Sequence, residues 1–199
     1  MSHNGSRPPG FAGHHEDSLR RLVRSSPGVA VLTGGQTGVD TLAARAALRA
    51  GLPVHLIFPA GFRQEDGALT AARRRALTGA SLHELSSGSF RYRTWTSVYL
   101  TDVVILLDPA GGDGCRETVR AAERLGRPLM SPGTAPVRAG ELAAWLGKTR
   151  ARILMVAGCR ASLLASQGKT TGLRSQIAAI TSEAKALHTQ LVAAATASE

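Results

Sequence analysis

The chain predicts an α/β domain, a mainly parallel sheet flanked by helices, with one further helix at its C-terminal end. Three observations carry that expectation. Apolar runs at residues 29–32 and 103–107 have the unbroken hydrophobicity of strands buried on both faces. Each runs into a glycine-rich turn and then into apolar residues at helical spacing. The order strand, helix, strand then calls for right-handed crossovers between parallel strands.

Residues 1–15 are rich in Gly, Pro, Ser and His without periodicity, which predicts a disordered tail ahead of a ligand-binding domain over 16–170. A short helix is expected over 17–24, with Leu19, Leu22 and Val23 on one face. The first strand, 29–32, opens into Gly34-Gly35-Gln36-Thr37-Gly38-Val39-Asp40. Val39, Leu42, Ala43, Ala46, Ala47 and Ala50 then fall on one helical face. Gly34, Gly35 and Gly38 permit positive φ and a close approach of backbone to ligand, and the first N–H groups of the helix suit an anion beyond the strand end. Gln36 or Thr37 caps the helix or touches the ligand. Asp40 serves either the helix dipole or the ligand. The spacing matches neither G-x-G-x-x-G nor G-x-x-x-x-G-K-[ST].

Gly51-Leu52-Pro53 ends the helix, and residues 54–58 supply a second strand. Its carboxyl end leads into a charged loop, 59–67, which should face the first glycine turn. Arg63 there suits a phosphate. Glu65 and Asp66 either accept from a sugar or base or begin the next helix, over 68–77, with Arg73, Arg74 and Arg75 solvated. A short strand is expected at 81–85. Phe90, Tyr92, Trp95 and Tyr99 lie within ten residues that also hold Arg91 and Arg93. That segment reads either as a stacking strip for a nucleotide or single-stranded nucleic acid, or as a helix packing its rings inward.

The buried strand 103–107 meets a second glycine-rich turn with Gly111, Gly112, Gly114 and Cys115, followed by a helix over 117–125. Two such turns in one sheet can embrace a single ligand. A short strand at 129–130, a helix over 141–146 and a last core strand over 151–156 follow. That strand opens into a third turn, where Gly158, Arg160 and Ser162 are placed to meet an anion. From 171 to 199 a terminal interaction helix is expected. Leu173, Ile177, Ile180, Ala184, Leu187 and Leu191 form a heptad seam, which predicts docking on a second subunit in a homo-oligomer or on the chain's own domain.

Composition narrows the function classes. With 199 residues and 43% hydrophobic content the chain can bury the core of one domain with extensions. Aromatics are only 4%, so the core should be aliphatic and alanine-rich. The net charge of +10, from 21 Arg and 3 Lys, fits nucleic-acid binding but equally fits the scattered arginine of a GC-rich genome, which leaves nucleic acid the less favoured partner. No apolar stretch is long enough for a membrane and no signal-peptide core is present, so a cytoplasmic location is expected. Cys115 and Cys159 fit neither a disulfide framework nor a zinc spacing.

With these residues on the page, the chain resembles the putative molybdenum cofactor carrier proteins over roughly residues 28–162. That family is a branch of a Rossmann-like superfamily that includes the LOG phosphoribohydrolases and DprA. The stretch from Gly34 to Asp40 looks like its signature, and Pro59-Ala60-Gly61-Phe62-Arg63-Gln64-Glu65-Asp66-Gly67 resembles its P-x-G-R-x-x-E-D-G loop. Tyr92-Arg93-Thr94 followed by Val98, then Thr101-Asp102, Gly126-Arg127-Pro128 and residues 156–162, fall where the family carries similar elements. The resemblance implies a Rossmann-like fold and a phosphorylated, nucleotide-like or pterin-type ligand, with molybdenum cofactor the named candidate. Cys115 departs from it, standing where relatives often carry threonine. In the LOG enzymes a glutamate follows that threonine by three. Thr118 holds its place here and Glu117 comes one residue early, which turns a helical side chain by about 100°. No complete set of nucleophile, base and orienter stands elsewhere.

The expected function is therefore binding or carrying. The N–H groups of residues 34–38 and 111–115 would hold phosphate, Arg63, Arg93 and Arg160 would neutralise it, and Glu65, Asp66 or Asp40 would select the polar edge. One alternative is an N-glycosidic hydrolase using Glu117 or Glu65. The other is a single-strand binder using Arg91, Arg93 and Trp95.

Overall fold

A computed structural model describes residues 14–107, 112–132, 137–138, 140–167 and 170–197. The tail expected over 1–15 lies outside the described residues up to residue 13. Its last two residues already belong to α1 (His14–Arg24), which starts before the expected residue 17.

Six strands form one sheet in the order β5 (Ser81–Glu84), β2 (Val54–Phe58), β1 (Ala30–Thr33), β8 (Ile153–Gly158), β6 (Val103–Leu107) and β7 (Leu129–Met130). Every pairing is parallel. The middle strands are buried on both faces, as their unbroken apolar runs require. The last strand, β8, lies at the centre between β1 and β6. Counted from β8, the chain steps outward through β1, β2 and β5, then returns to the other flank of β8 with β6 and β7. The winding direction thus reverses between β8 and β6, and in such sheets the crevice for ligands opens beyond the strand ends at that point.

Several boundaries differ from expectation for local reasons. β8 extends to Gly158, two residues further than expected. A Cβ on Gly158 would stand 2.5 Å from the carbonyl oxygen of Leu107, its partner in register, so only glycine lets the two strands stay paired this far. Residues 63–68 fold into a hairpin, β3 (Arg63–Gln64) against β4 (Gly67–Ala68). The expected helix over 68–77 shrinks accordingly to α3 (Ala71–Arg75), capped by the Thr70 side chain.

α2 (Val39–Arg49) and α6 (Glu141–Thr149) receive the terminal helix, α8 (Thr170–Thr196). Leu173, Ile177, Ile180 and Ala184 are buried there, each worth about 1–3 kcal/mol by burial. Leu187 is partly buried and Leu191 is exposed. Glu183 of α8 accepts from the N–H groups of Gly140 and Ala143, closing the start of α6. Most of the heptad seam is therefore spent inside the chain. Of the two expected dockings, the structure holds the one on its own domain.

Candidate functional site

A cleft of about 320 Å³ opens beyond the ends of β8 and β6. Met155, Ala157 and Gly158 of β8 contribute to its lining. One wall is α4 (Phe90–Leu100), with Phe90, Arg91, Arg93 and Thr94, and the other is α5 (Asp113–Arg124), with Asp113, Gly114, Cys115, Glu117 and Thr118. Gln36, Asp40, Glu65 and Arg160 complete the lining.

The charged groups of the cleft come as pairs. Arg93 Nη1 stands 3.4 Å from Asp40 Oδ2, with Arg93 only 8% and Asp40 only 4% exposed. Arg91 Nε donates to Glu117 at 2.8 Å, and Arg160 Nε lies 3.7 Å from Glu65. Burial pushes the Asp40 carboxyl up to about 6, against the Arg93 charge and the N–H groups of Gln36 and Gly34. Burial likewise lowers Arg93, against the attraction of Asp40. Burial works against the charge of Glu65 as well, yet bonds from Ser162 and Thr37 and the Arg160 charge hold it below the usual carboxylate range. Glu117 is held low in the same way by Trp95, Arg91 and Arg120. Arg93 differs from the other two arginines in one respect. Its Nε is buried with no hydrogen-bond partner among the described residues.

The first glycine turn is not the open phosphate cradle that its composition predicts. A Cβ on Gly34 would fall 1.4 Å from Arg93 Nη1, one on Gly35 2.6 Å from the Phe58 ring, and one on Gly38 2.4 Å from the Cys159 carbonyl oxygen. The space the glycines leave is filled by the chain itself. The turn's N–H groups are engaged as well: Gln36 N donates to Asp40 at 3.1 Å, Thr37 N to Gln36 Oε1 at 3.2 Å and Val39 N to Cys159 O at 3.0 Å. Gly34, Gly35, Gly38 and Thr37 therefore support the site from behind. The Thr37 hydroxyl and Ser162 both donate to Glu65, the latter at 2.6 Å, so Glu65 ties three loops together. Ser162 acts through that tie.

In the second turn, expected to offer its N–H groups over 111–115, Cys115 N is engaged by Gly112 O at 3.2 Å. α5 starts at Gly112, φ +98°, with no side-chain cap, and Gly114 faces open space where a Cβ would stand. The N–H groups of Asp113 and Gly114 have no acceptor among the described residues, the free helix start that attracts anions. Gly111 lies outside the described residues.

Two expected contacts are redirected. Arg63 lies over the Phe90 ring, 5.4 Å from its centroid, and reaches Gly88 O rather than the cleft. Asp66 is exposed and forms a two-pronged pair with Arg73 at 2.6 and 2.7 Å, away from the cleft. Both lie in the hairpin, where Gln64 is buried and donates to Gly35 O at 2.8 Å, and of its charged residues Glu65 lines the cleft. Thr118 lines the cleft but donates to Gly114 O at 2.9 Å, and Thr94 donates to Phe90 O at 3.0 Å. Cys115 and Cys159 are buried and form no disulfide. No group of three or more metal-ligating side chains occurs among the described residues.

The aromatic segment is a helix whose rings turn to different neighbours. Trp95 Nε1 donates to Glu117, the Tyr92 hydroxyl to Glu16 and the Tyr99 hydroxyl to Asp17. With Arg93 buried and Trp95 tied down, Arg91, Arg93 and Trp95 do not form the exposed stacking strip that a single-strand binder would need. Sequence reasoning missed Met155 and Ala157 as lining residues. The signal for Met155 and Ala157 was their spacing of two residues, one face of a strand that ends at the cleft.

A model of the circularly permutated YpsA SLOG family matches residues 31–173. Among solved structures, the chain is similar to the crystal structure of a "Putative molybdenum carrier protein" from Syntrophus aciditrophicus SB. Identity is 20%, with 79% of this chain and 98% of that chain covered at a TM-score of 0.62, a likeness of fold. It also matches "AtPrR2 in apo form" at 17% identity over 52% of this chain and 37% of that one, but at a TM-score of 0.36 the match carries no argument. Among curated proteins none matches at a significant level. Among the described residues no helix is long and apolar enough to cross a membrane.

Proposed function

We propose a function for a chain that belongs to the circularly permutated YpsA SLOG family: its cleft binds and carries a phosphorylated, nucleotide-like or pterin-type small molecule. The observation that carries this reading is Arg93, a buried arginine with an unpartnered Nε, set in a crevice that also receives the uncapped start of α5. A guanidinium with spare donors beside free backbone N–H groups is a site for an oxyanion. The anion is thus assigned to Arg93 and α5, with Arg160 and Arg91 at the rim, rather than to the first glycine turn. Glu65 and Glu117, both favouring the ionised form, supply acceptors for N–H or O–H groups at the other end of the ligand.

Molybdenum cofactor, a phosphorylated pterin, is the leading candidate for that cargo. The name of the similar Syntrophus aciditrophicus protein supports it, as does a cleft that offers both an anion site and carboxylate acceptors. Carrying is favoured over hydrolysis because Glu117 is tied to Trp95 and Arg91 and is held in its ionised form, a poor state for a general acid. The proposed setting is cytoplasmic. Native purification, denaturation and identification of the released molecule by mass spectrometry and metal analysis tests the reading. A near-stoichiometric pterin or phosphorylated nucleotide is expected. An empty cleft in wild type and in Arg93→Gln alike, with no phosphorylated ligand bound on addition, would overturn it. Release of ribose phosphate from nucleoside monophosphates would convert the carrier into a hydrolase.

A further inference from the structure

Asp40 and Arg93 are the most enclosed charged groups of the cleft, and among the described residues each is the other's only oppositely charged partner at close range. Asp40 also accepts from the loop at Gln36 N, so it does not depend on Arg93 alone for hydrogen bonding. Arg93 is packed onto the Gly34 backbone, where no side chain intervenes. An anion that engages the free donors of Arg93 arrives within a few ångströms of the Asp40 carboxylate. Two negative charges then share one guanidinium in a place where water screens them poorly.

Resting on the anion-site reading above, we infer that the cleft takes up its anionic ligand together with one proton, and that Asp40 carries the proton. No other described carboxylate of the cleft is as enclosed: Asp113 at the start of α5 is exposed and paired with Arg116. From α4, Arg93 stays charged. From the loop, Asp40 meets only the backbone N–H groups of Gln36 and Gly34. Across the cleft, Glu65 is held by Thr37, Ser162 and Arg160, and Glu117 by Trp95, Arg91 and Arg120, so both favour the ionised form. The Cys115 thiol at the start of α5 is buried and forms no disulfide. None of the described histidines lines the cleft: His55 and His83 stack on each other in β2 and β5, and His188 of α8 bonds to the backbone of Val29. Protonated Asp40 keeps a carbonyl oxygen for Gln36 N and releases Arg93 wholly to the ligand.

The direction follows from linkage. Burial already places free Asp40 at about 6, and a bound anion raises it further. Affinity therefore falls as pH rises from the free value toward the bound one, and levels off below the free value, where the proton is already in place. The shape of the cleft gains a specificity rule from this: an anion that cannot be accompanied by a proton, as at alkaline pH, is repelled.

Sulfate is the suitable probe for the full-length protein, because its own charge is constant across neutral pH. Its binding is measured by isothermal titration calorimetry in buffers of different ionisation enthalpy. Uptake of close to one proton per sulfate is expected at about pH 7, with affinity falling at least about threefold between roughly pH 6 and pH 7.5. Asp40→Asn should bind sulfate more tightly than wild type at the higher pH, with neither the uptake nor the pH dependence. Sulfate bound without proton uptake in wild type, and lost in Arg93→Gln, would overturn the coupling and leave the anion site standing. Equal sulfate binding by wild type and Arg93→Gln would overturn the anion site and the coupling together. Should Asp40→Asn fail to fold, the proton uptake of the wild type decides alone.

Discussion

Replacing Gly34 with alanine places a methyl carbon 1.4 Å from Arg93 Nη1, 2.6 Å from its Cζ and 2.8 Å from Asp40 Oδ2. Gly34 is not among the positive-φ glycines, so alanine strains no backbone there and the effect falls on the Arg93 side chain first and on Asp40 second. That guanidinium must leave. Asp40 then loses its counter-charge, and removing one partner of a buried pair costs about 3–5 kcal/mol when the other stays charged. Asp40 has an escape that limits the loss, because it can take a proton. Its carboxyl already sits at about 6 in the folded protein. Keeping it neutral at pH 7 therefore costs only about 1.4 kcal/mol more than the wild type already bears, and close to nothing at pH 6 or below. Urea denaturation should thus show Gly34→Ala destabilised by about 1–2 kcal/mol at pH 7, with most of the difference gone at about pH 5.5. Oxyanion affinity should be lost at both values. A variant that binds sulfate as wild type does, or whose destabilisation persists unchanged at the lower pH, would refute the placement of Arg93 over Gly34 as the basis of the site.

Stability against pH gives a second test, with two groups of opposite sign. Asp40 is raised from 3.8 to about 6, so its contribution is fully present below its unfolded value and is lost as pH rises through about 6, a swing of about 3 kcal/mol. His55, lowered by burial and by His83 from 6.5 to about 4, destabilises the fold as pH drops through that window. His55→Phe should therefore flatten the acid limb of a stability profile, and Asp40→Asn should flatten the gain on acidification, both read by denaturant titration. Glu65→Ala removes the acceptor shared by Thr37, Ser162 and Arg160. A loss of about 1–3 kcal/mol is expected, with greater protease sensitivity of the loops at 34–38, 61–68 and 159–162. Gly158→Ala drives a Cβ into Leu107 O at 2.5 Å and the Val39 side chain at 2.8 Å, and should cost about 1–3 kcal/mol or more in a thermal melt. Wild-type stability in that variant would show that β6 and β8 can part without loss.

The sequence announced the parallel sheet because its central strands are apolar on every residue, a pattern that survives any reordering of strands. Strand order was not legible. Nothing in residues 153–158 says that the last strand enters the middle, since insertion is decided by which flanks of β1 and β6 remain unpaired. At the site, motif composition located loops that border the cleft but mistook the job of the first. Glycines were read as room for a ligand, whereas Gly34 makes room for Arg93, fifty-nine residues later in the chain. Such long-range packing leaves no local trace. Arg63 and Asp66 went astray for a smaller reason, a hairpin over 63–68 in which Arg63 lies over Phe90 and Asp66 pairs with Arg73. Cys115, Glu117 and Arg160 line the cleft because they stand at a helix start and beyond a strand end, places that apolar periodicity marks.

The central position of β8 bears on how the protein comes to be made. Until residue 158 has left the ribosome, the β5-β2-β1 half has no strand to bridge it to the β6-β7 half. The nascent chain thus holds two open edges, β1 and β6, each ready to pair with another strand. The last core strand closes both at once, and the crevice beyond β8 does not exist before then. Sequence-distant closure of this kind slows folding. Synthesis should therefore pass through a long-lived, binding-incompetent stage that ends in a single step, and a cell short of chaperones would lose this protein at that stage rather than after it is folded.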